Sequence, residues 1–157
     1  MAIFTKEKFE TKSNEWATPA DVFEPLNSEF DFGLDAAANF DNRKCTNYLG
    51  IDHIFEGCRD GLAVDWSLAL RGTKRPVWLN PPFGGQLKKW VQKAYEESLK
   101  GITVVCLLPS RTNTEWWHNF CMKGEIRFIR GRPKFNNATH GLPFPLAIVI
   151  FRGIKLS

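Results

Sequence analysis

The chain has no CxxC pair, although four cysteines (Cys45, Cys58, Cys106 and Cys121) are spread over its 157 residues. Cys45, His53 and Cys58 could sketch a metal corner, but no residue offers an obvious fourth ligand. The expectation is therefore structural thiols in a reducing compartment, with no metal. No apolar run reaches the ~18 residues that a membrane-spanning helix needs. The N-terminal MAIFTKEKFETKSNEW lacks the apolar stretch of a signal peptide. A cytoplasmic protein without a membrane partner is expected. There is also no GxxxxGK[ST] phosphate loop and no HExxH, no cysteine follows a proline, and the three histidines form no nucleophile–base grouping. Phosphoryl transfer, metal-assisted hydrolysis and attack by a Pro-Cys thiolate thus lack their usual residues.

What is present is aromatic and unevenly charged. Thirteen Phe and six Trp accompany 43% hydrophobic and 24% charged residues, enough apolar side chain for an ordinary core. The length suits one domain. The net charge of +4 is too small to identify a partner, but it hides a split. Residues 1–65 hold 6 basic and 13 acidic side chains, whereas residues 66–157 hold 15 and 4. Between Trp66 and Tyr95 there are six Lys or Arg and no acid.

Hydrophobic periodicity predicts an alternation of helices and strands. Residues 1–14 are polar and aperiodic and read as a flexible arm. Thr18-Pro19-Ala20-Asp21 reads as a helix start, with Thr18 as cap, Pro19 in the first helical position and Asp21 closing a capping box. The helix should run to about Glu29, and the alternation of Phe30, Phe32 and Leu34 predicts a strand ending at Asp35. Residues 40–75 read as small elements and long loops. Pro76–Asn80 and the apolar run Ile102–Leu108 read as buried strands. Between them, Leu87, Trp90, Val91, Ala94 and Tyr95 fall on one face of a helix that Gly101 ends. Thr112 and Glu115 suggest a second capping box, and Glu125–Arg130 and Leu146–Arg152 a terminal strand pair. The pattern predicts an α/β fold whose mostly parallel sheet ends in an antiparallel pair. In such sheets ligands bind beyond the carboxyl ends of the strands, where Asp35, Asn80 and Pro109 are expected.

Asn80-Pro81-Pro82-Phe83, at one of those ends, is the sharpest signal. A string of this type should arise by chance in roughly one chain per few hundred of this length. Its chemistry suits an exocyclic amino group on an aromatic ring, whose nitrogen lone pair is delocalised and poorly nucleophilic. The Asn80 side-chain oxygen and the Pro81 carbonyl can each accept one N–H. That draws the nitrogen towards tetrahedral geometry and frees the lone pair. Pro81 and Pro82 stiffen the turn and add no competing N–H. Phe83 can stack on a base turned out of a duplex. A plain strand-exit turn with Phe83 packed inward is the bland alternative.

With Asn80–Phe83 stand Glu15-Trp16-Ala17-Thr18-Pro19, Leu34-Asp35-Ala36-Ala37-Ala38, Asp65-Trp66, Leu108-Pro109-Ser110-Arg111-Thr112 and Arg127-Phe128-Ile129-Arg130-Gly131-Arg132. In this order, from Trp16 to about Phe151, the chain resembles the small bacteriophage DNA N-6-adenine methyltransferases, the phage Dam family. The resemblance implies a compact Rossmann-like class I methyltransferase fold that uses S-adenosylmethionine, with double-stranded DNA as partner. Asp35, Ala36 and Ala37 would occupy the cofactor loop, where the wider superfamily prefers a glycine-rich turn that DAAANFDN lacks. Trp16, Thr18 and Pro19 would lie near the methionine end of the cofactor, with Asn80 beside them, and Asp65 near its adenosine. The family's activity implies methyl transfer to adenine N6 in a short duplex site such as GATC, of the kind that protects phage DNA from restriction in the cytoplasm of a bacterial host.

The basic residues suggest how DNA would be held. Arg75, Lys88 and Lys89 flank Asn80–Phe83, and Arg111 follows a strand end. Arg130, Arg132 and Lys134 are interleaved with aromatics, so cations can meet phosphate while rings stack on bases. A solvated charged face is the alternative for each. Arg75, Lys88, Lys89, Arg130 and Arg132 are expected to share one DNA-facing surface, with the acidic first part holding the cationic cofactor. A single catalytic core is expected over residues 15–157, without a separate target-recognition domain. Sequence reading would fall to loops 110–120 and 132–145, to the arm, or to a second subunit in a homodimer. Two further readings stay open. One is transfer to cytosine N4, RNA or a protein amide on the same scaffold; the other is a DNA-binding protein that has lost catalysis.

Overall fold

The computed structural model describes residues 17–135 and 142–155. The expected 1–14 arm lies outside the described residues, as does Trp16.

Five strands form one sheet: β1 (Leu34–Asp35), β2 (Val77–Leu79), β3 (Val104–Pro109), β4 (Glu125–Phe128) and β5 (Leu146–Phe151), in the spatial order β1-β2-β3-β5-β4. β1, β2 and β3 are parallel, and β5 returns antiparallel to β3 from Val104↔Phe151 to Pro109↔Leu146. β4 is antiparallel to β5 and so points the same way as β1–β3. The carboxyl ends of β1, β2, β3 and β4 therefore lie along one edge of the sheet. β2, β3 and β5 are buried at every residue, which is why they read as unbroken apolar runs instead of alternating ones.

Among the described residues four α-helices accompany the sheet: α1 (Ala20–Phe30), α2 (Trp66–Ala69), α3 (Leu87–Leu99) and α4 (Glu115–Asn119). The strand register assigns them to faces. Trp78 pairs with Val105 and Val105 with Ile150, so these three side chains share one face, where Phe23 of α1 meets Trp78 edge-on at 5.2 Å. Val77, Val104 and Phe151 share the other face, where Tyr95 of α3 meets Phe151 at 5.8 Å. Leu87, Trp90, Val91 and Ala94 are buried, as the helical stripe required. Gly101, at φ 100°, follows the helix as expected. Among the described residues no helix is long and apolar enough to cross a membrane.

Three local expectations are corrected. The first strand is only Leu34–Asp35, because α1 extends through Phe30 and Asp31 turns out of it at φ 54°. Asn27 Oδ1 then accepts from the Phe32 amide at 3.1 Å, an Asx-type bond that competes with strand pairing. The α1 cap is Pro19, whose carbonyl takes the Val22 and Phe23 amides, and Thr18 makes no capping bond. α4 is capped by Thr114, which accepts from Trp117 N, and not by Thr112.

Candidate active site

A cleft of about 250 Å³ opens at the carboxyl ends of β1 and β2. All four residues of Asn80–Phe83 line it, because β2 ends at Leu79 and delivers them to its mouth. Asn80 Nδ2 donates to Thr18 Oγ1 at 3.0 Å. Thr18 is only 3% exposed, so its hydroxyl is spent on this bond across 62 positions of chain. Holding the amide nitrogen fixes the orientation of the group and leaves Asn80 Oδ1 as the acceptor. Buried Pro81 has no N–H, so the turn presents a carbonyl without a neighbouring donor. Phe83 is buried and meets Phe144 edge-on at 5.9 Å, while the Arg111 guanidinium lies over Phe144 at 5.7 Å. The ring is thus braced from outside the cleft that it lines. Burial lowers the Arg111 pKa.

Asp35 is the buried acid of the cleft, at 2% exposure. Its carboxylate accepts from the Lys44 amide at 2.9 Å and from the Ala37 amide at 3.4 Å. Desolvation outweighs those bonds and pushes the carboxyl up to about 7. The segment after it is braced by glycines from elsewhere in the chain. A Cβ on Gly50 would lie 1.7 Å from the Ala38 carbonyl oxygen, and one on Gly61 would lie 2.2 Å from that of Ala36 and 2.8 Å from the Trp90 ring. DAAANFDN can do without glycine because the facing loop supplies it. Gly50→Ala is expected to destabilise the fold by at least about 1–3 kcal/mol, since backbone must move to admit the methyl. Chemical denaturation measures this, and an unchanged midpoint would contradict the close approach.

The remaining expected residues divide clearly. Thr18, Asp35, Ala37 and Asn80 line the cleft. Ala36 does not; it is fully buried, and its amide donates to the Trp78 carbonyl at 3.0 Å. Pro19 is occupied as the α1 cap. Asp65 caps α2 through Ser67 and lies 3.7 Å from Lys100, and it is not a cleft residue. The acid that does line the cleft from this stretch is Asp60, beside Gly61. An Asp-Gly pair, a common turn signal, could have drawn attention to it. Phe135, 4% exposed, also lines the cleft. So do Asn39 and Asn42, each accepting the other's backbone amide at 2.8 Å.

Arg75 stands apart from the other basic residues expected to face DNA. Lys88 and Lys89 are exposed in the first turn of α3, where the helix dipole disfavours cations and no acid offsets them. Arg111 follows β3, and exposed Arg130, Arg132 and Lys134 follow β4. All six therefore sit at the sheet edge that carries the cleft. Arg75 precedes β2, at the opposite end of the strand from Asn80, and pairs with Asp31 at 2.8 Å. Among the described residues no group of three His, Cys, Asp or Glu could hold a metal, and the four cysteines are free thiols.

The five-stranded α/β sheet thus carries a cleft at its strand ends, where ligands bind in open α/β sheets, and the anchored Asn-Pro-Pro-Phe turn lines it. The family model for DNA N-6-adenine-methyltransferase (Dam) matches residues 5–144, and the chain belongs to that family. It is thus an enzyme of a family that methylates adenine in DNA. No curated protein matches the chain.

Proposed function

We propose that the protein transfers the methyl group of S-adenosylmethionine to N6 of adenine in duplex DNA, by direct displacement on a Rossmann-like scaffold. The observation that carries this reading is the Asn80 amide, anchored by Thr18 at 3.0 Å inside the cleft so that its oxygen can accept from an amino group. Asn80 Oδ1 and the Pro81 carbonyl take the two N–H bonds of the adenine amino group, Pro82 keeps the turn rigid, and Phe83 stacks on the extruded base. The amino proton leaves once the nitrogen has become cationic, so no strong general base is needed.

The residues fit the cofactor. The buried Asp35 carboxylate suits a cationic ligand, and the small side chains of Ala37 and Ala38 line the cleft beside it. Bound there, S-adenosylmethionine supplies an activated methyl on a positively charged sulfur. Asp35 and Ala37 hold its amino-acid end, and Asp60 takes the adenosine contact expected of Asp65. Lys88, Lys89, Arg111, Arg130, Arg132 and Lys134 hold the DNA backbone. Site selection, for a short sequence such as GATC, falls to the loops around the cleft, to the N-terminal residues, or to the second copy in a homodimer. Protection of phage DNA in a bacterial cytoplasm is the role that fits.

Asp35 gives this reading a pH signature. With its carboxyl at about 7, the ligand-free protein holds a proton that a cationic ligand must displace. Affinity should therefore rise with pH up to about 7 and level off above it. Below 7 it should fall by up to about tenfold per unit. The ligand's sulfonium charge is permanent, so this pH dependence comes from the protein. The ligand-free fold, conversely, loses stability as pH rises towards 7, since the unfolded chain has already released this proton. Calorimetric titration with S-adenosylmethionine from about pH 5.5 to about pH 8 tests the account. Asp35→Asn should flatten the profile, and a flat wild-type profile would remove Asp35 from the binding site.

A further inference from the structure

We propose that Phe128 is a stacking wedge, whose ring enters the base stack of duplex DNA as the target adenine leaves it. The proposal rests on the reading of the protein as a DNA adenine methyltransferase. Phe128 is 68% exposed, an unusual position for a large ring at the end of a sheet strand. Its register, Phe128↔Ala147 and Ala147↔Leu108, puts it at the sheet edge that carries the cleft and on the face of α3 and α4. There the ring stacks on Trp117 at 6.5 Å and 28°. Trp117 is 2% exposed and meets Trp116 edge-on at 6.0 Å, and its amide is held by the Thr114 cap. One side of the Phe128 ring thus rests on a rigid indole while most of its surface meets solvent.

The residues after it supply the charge complement of a polyanion. Gly131, at φ 76°, turns the chain, and Arg130, Arg132 and Lys134 are exposed. None of the three is ion-paired among the described residues. The neighbouring Arg127 and Arg152 differ. Arg127 is bound to Glu29 at 2.7 Å and to Glu125 at 2.7 Å, and Arg152 to Glu125 at 3.1 Å. Arg127 and Arg152 are neutralised, and the three beyond the end of β4 are left for an external anion. The segment then ends at Phe135, in the wall of the cleft. It runs from an exposed ring, past three unpaired cations, to the pocket that would receive the base. Three strand spacings separate β4 from β2, about 14 Å at ~4.8 Å each, comparable with the ~12 Å width of the major groove. An aromatic beside phosphate-binding cations at that distance from Asn80 suits the gap opened when a base swings out.

The test uses the full chain with Phe128→Ala and Phe128→Trp on two substrates, an intact duplex and the same duplex with an abasic site opposite the target adenine. Phe128→Ala should slow methylation of the intact duplex by about ten- to a hundredfold, the scale of base–aromatic stacking. It should also lose the fluorescence rise of 2-aminopurine placed at the target position. On the abasic substrate, where unpairing is already done, it should stay within about threefold of wild type, because the ring assists unpairing and not the transfer itself. Phe128→Trp should restore the intact-duplex rate. An unchanged duplex rate for Phe128→Ala would overturn the proposal, as would equal slowing on both substrates or a loss of self-association in sedimentation. A wild-type protein that methylates neither substrate would overturn the adenine reading itself, and the wedge with it.

Discussion

Asn80→Ala is expected to cut methyl transfer by about two to three orders of magnitude, the usual loss when one positioned hydrogen-bonding group is removed from a reacting centre. The affinity for S-adenosylmethionine should change little, because Asp35, Ala37 and Ala38 form a separate part of the cleft. The reason for the size of the effect is geometric. Asn80 Nδ2 is held by Thr18 at 3.0 Å, so its oxygen need not reorganise when the amino group arrives. Thr18→Val then makes a graded companion. It keeps the side chain's shape and the Asn80 oxygen but removes the anchor, so it should lower kcat by about tenfold with little change in KM. Initial rates with tritiated cofactor measure both. If Asn80→Ala kept near-wild-type turnover, the amino group would not be held as described.

The second large effect is electrostatic. Replacing Arg130, Arg132 and Lys134 together by Ala should weaken DNA binding and flatten its salt dependence. The slope of log K against log salt should fall by nearly 3, at about 0.9 for each phosphate that is no longer neutralised. Arg75→Ala is the internal control. Its guanidinium is engaged with Asp31 at the far end of β2, so its loss should leave the salt slope unchanged. Fluorescence anisotropy with a labelled duplex across a salt series separates the two variants. A triple variant with the wild-type slope would mean that the segment after β4 does not contact phosphate.

The Asn-Pro-Pro-Phe turn is legible in the sequence because its composition is rare and the strand before it is apolar without a break. β3, β5 and the helix at Leu87–Leu99 are legible for the same kind of reason, being long and strongly patterned. Thr18 shows where local reading stops. A threonine before proline and an acid three residues on satisfies every rule for a cap, yet its hydroxyl serves a residue 62 positions away. Such a partner leaves no trace in spacing. Asp65 misleads in the opposite direction, since as a local cap for α2 it needs no ligand. Asp60, Gly50 and Gly61 come from the stretch whose irregular loops have no period to read. Arg75 groups with Lys88 and Lys89 by nearness in sequence, but a strand carries its two ends to opposite edges of a sheet, and Arg75 and Asn80 stand at the two ends of β2. Lys88, Lys89, Arg130, Arg132 and Lys134 therefore lie toward one edge, and Arg75 at the other. Phe135 is visible in the sequence only as part of a basic, aromatic stretch, and its place in the cleft depends on the fold.

The most direct test of the central claim follows the methyl group to its acceptor. Duplex DNA incubated with the protein and isotopically labelled S-adenosylmethionine can be digested to nucleosides and resolved by mass spectrometry. The account predicts label in N6-methyldeoxyadenosine, with transfer lost in Asn80→Ala. Label in N4-methyldeoxycytidine, or transfer to RNA or protein with none to DNA, would contradict it.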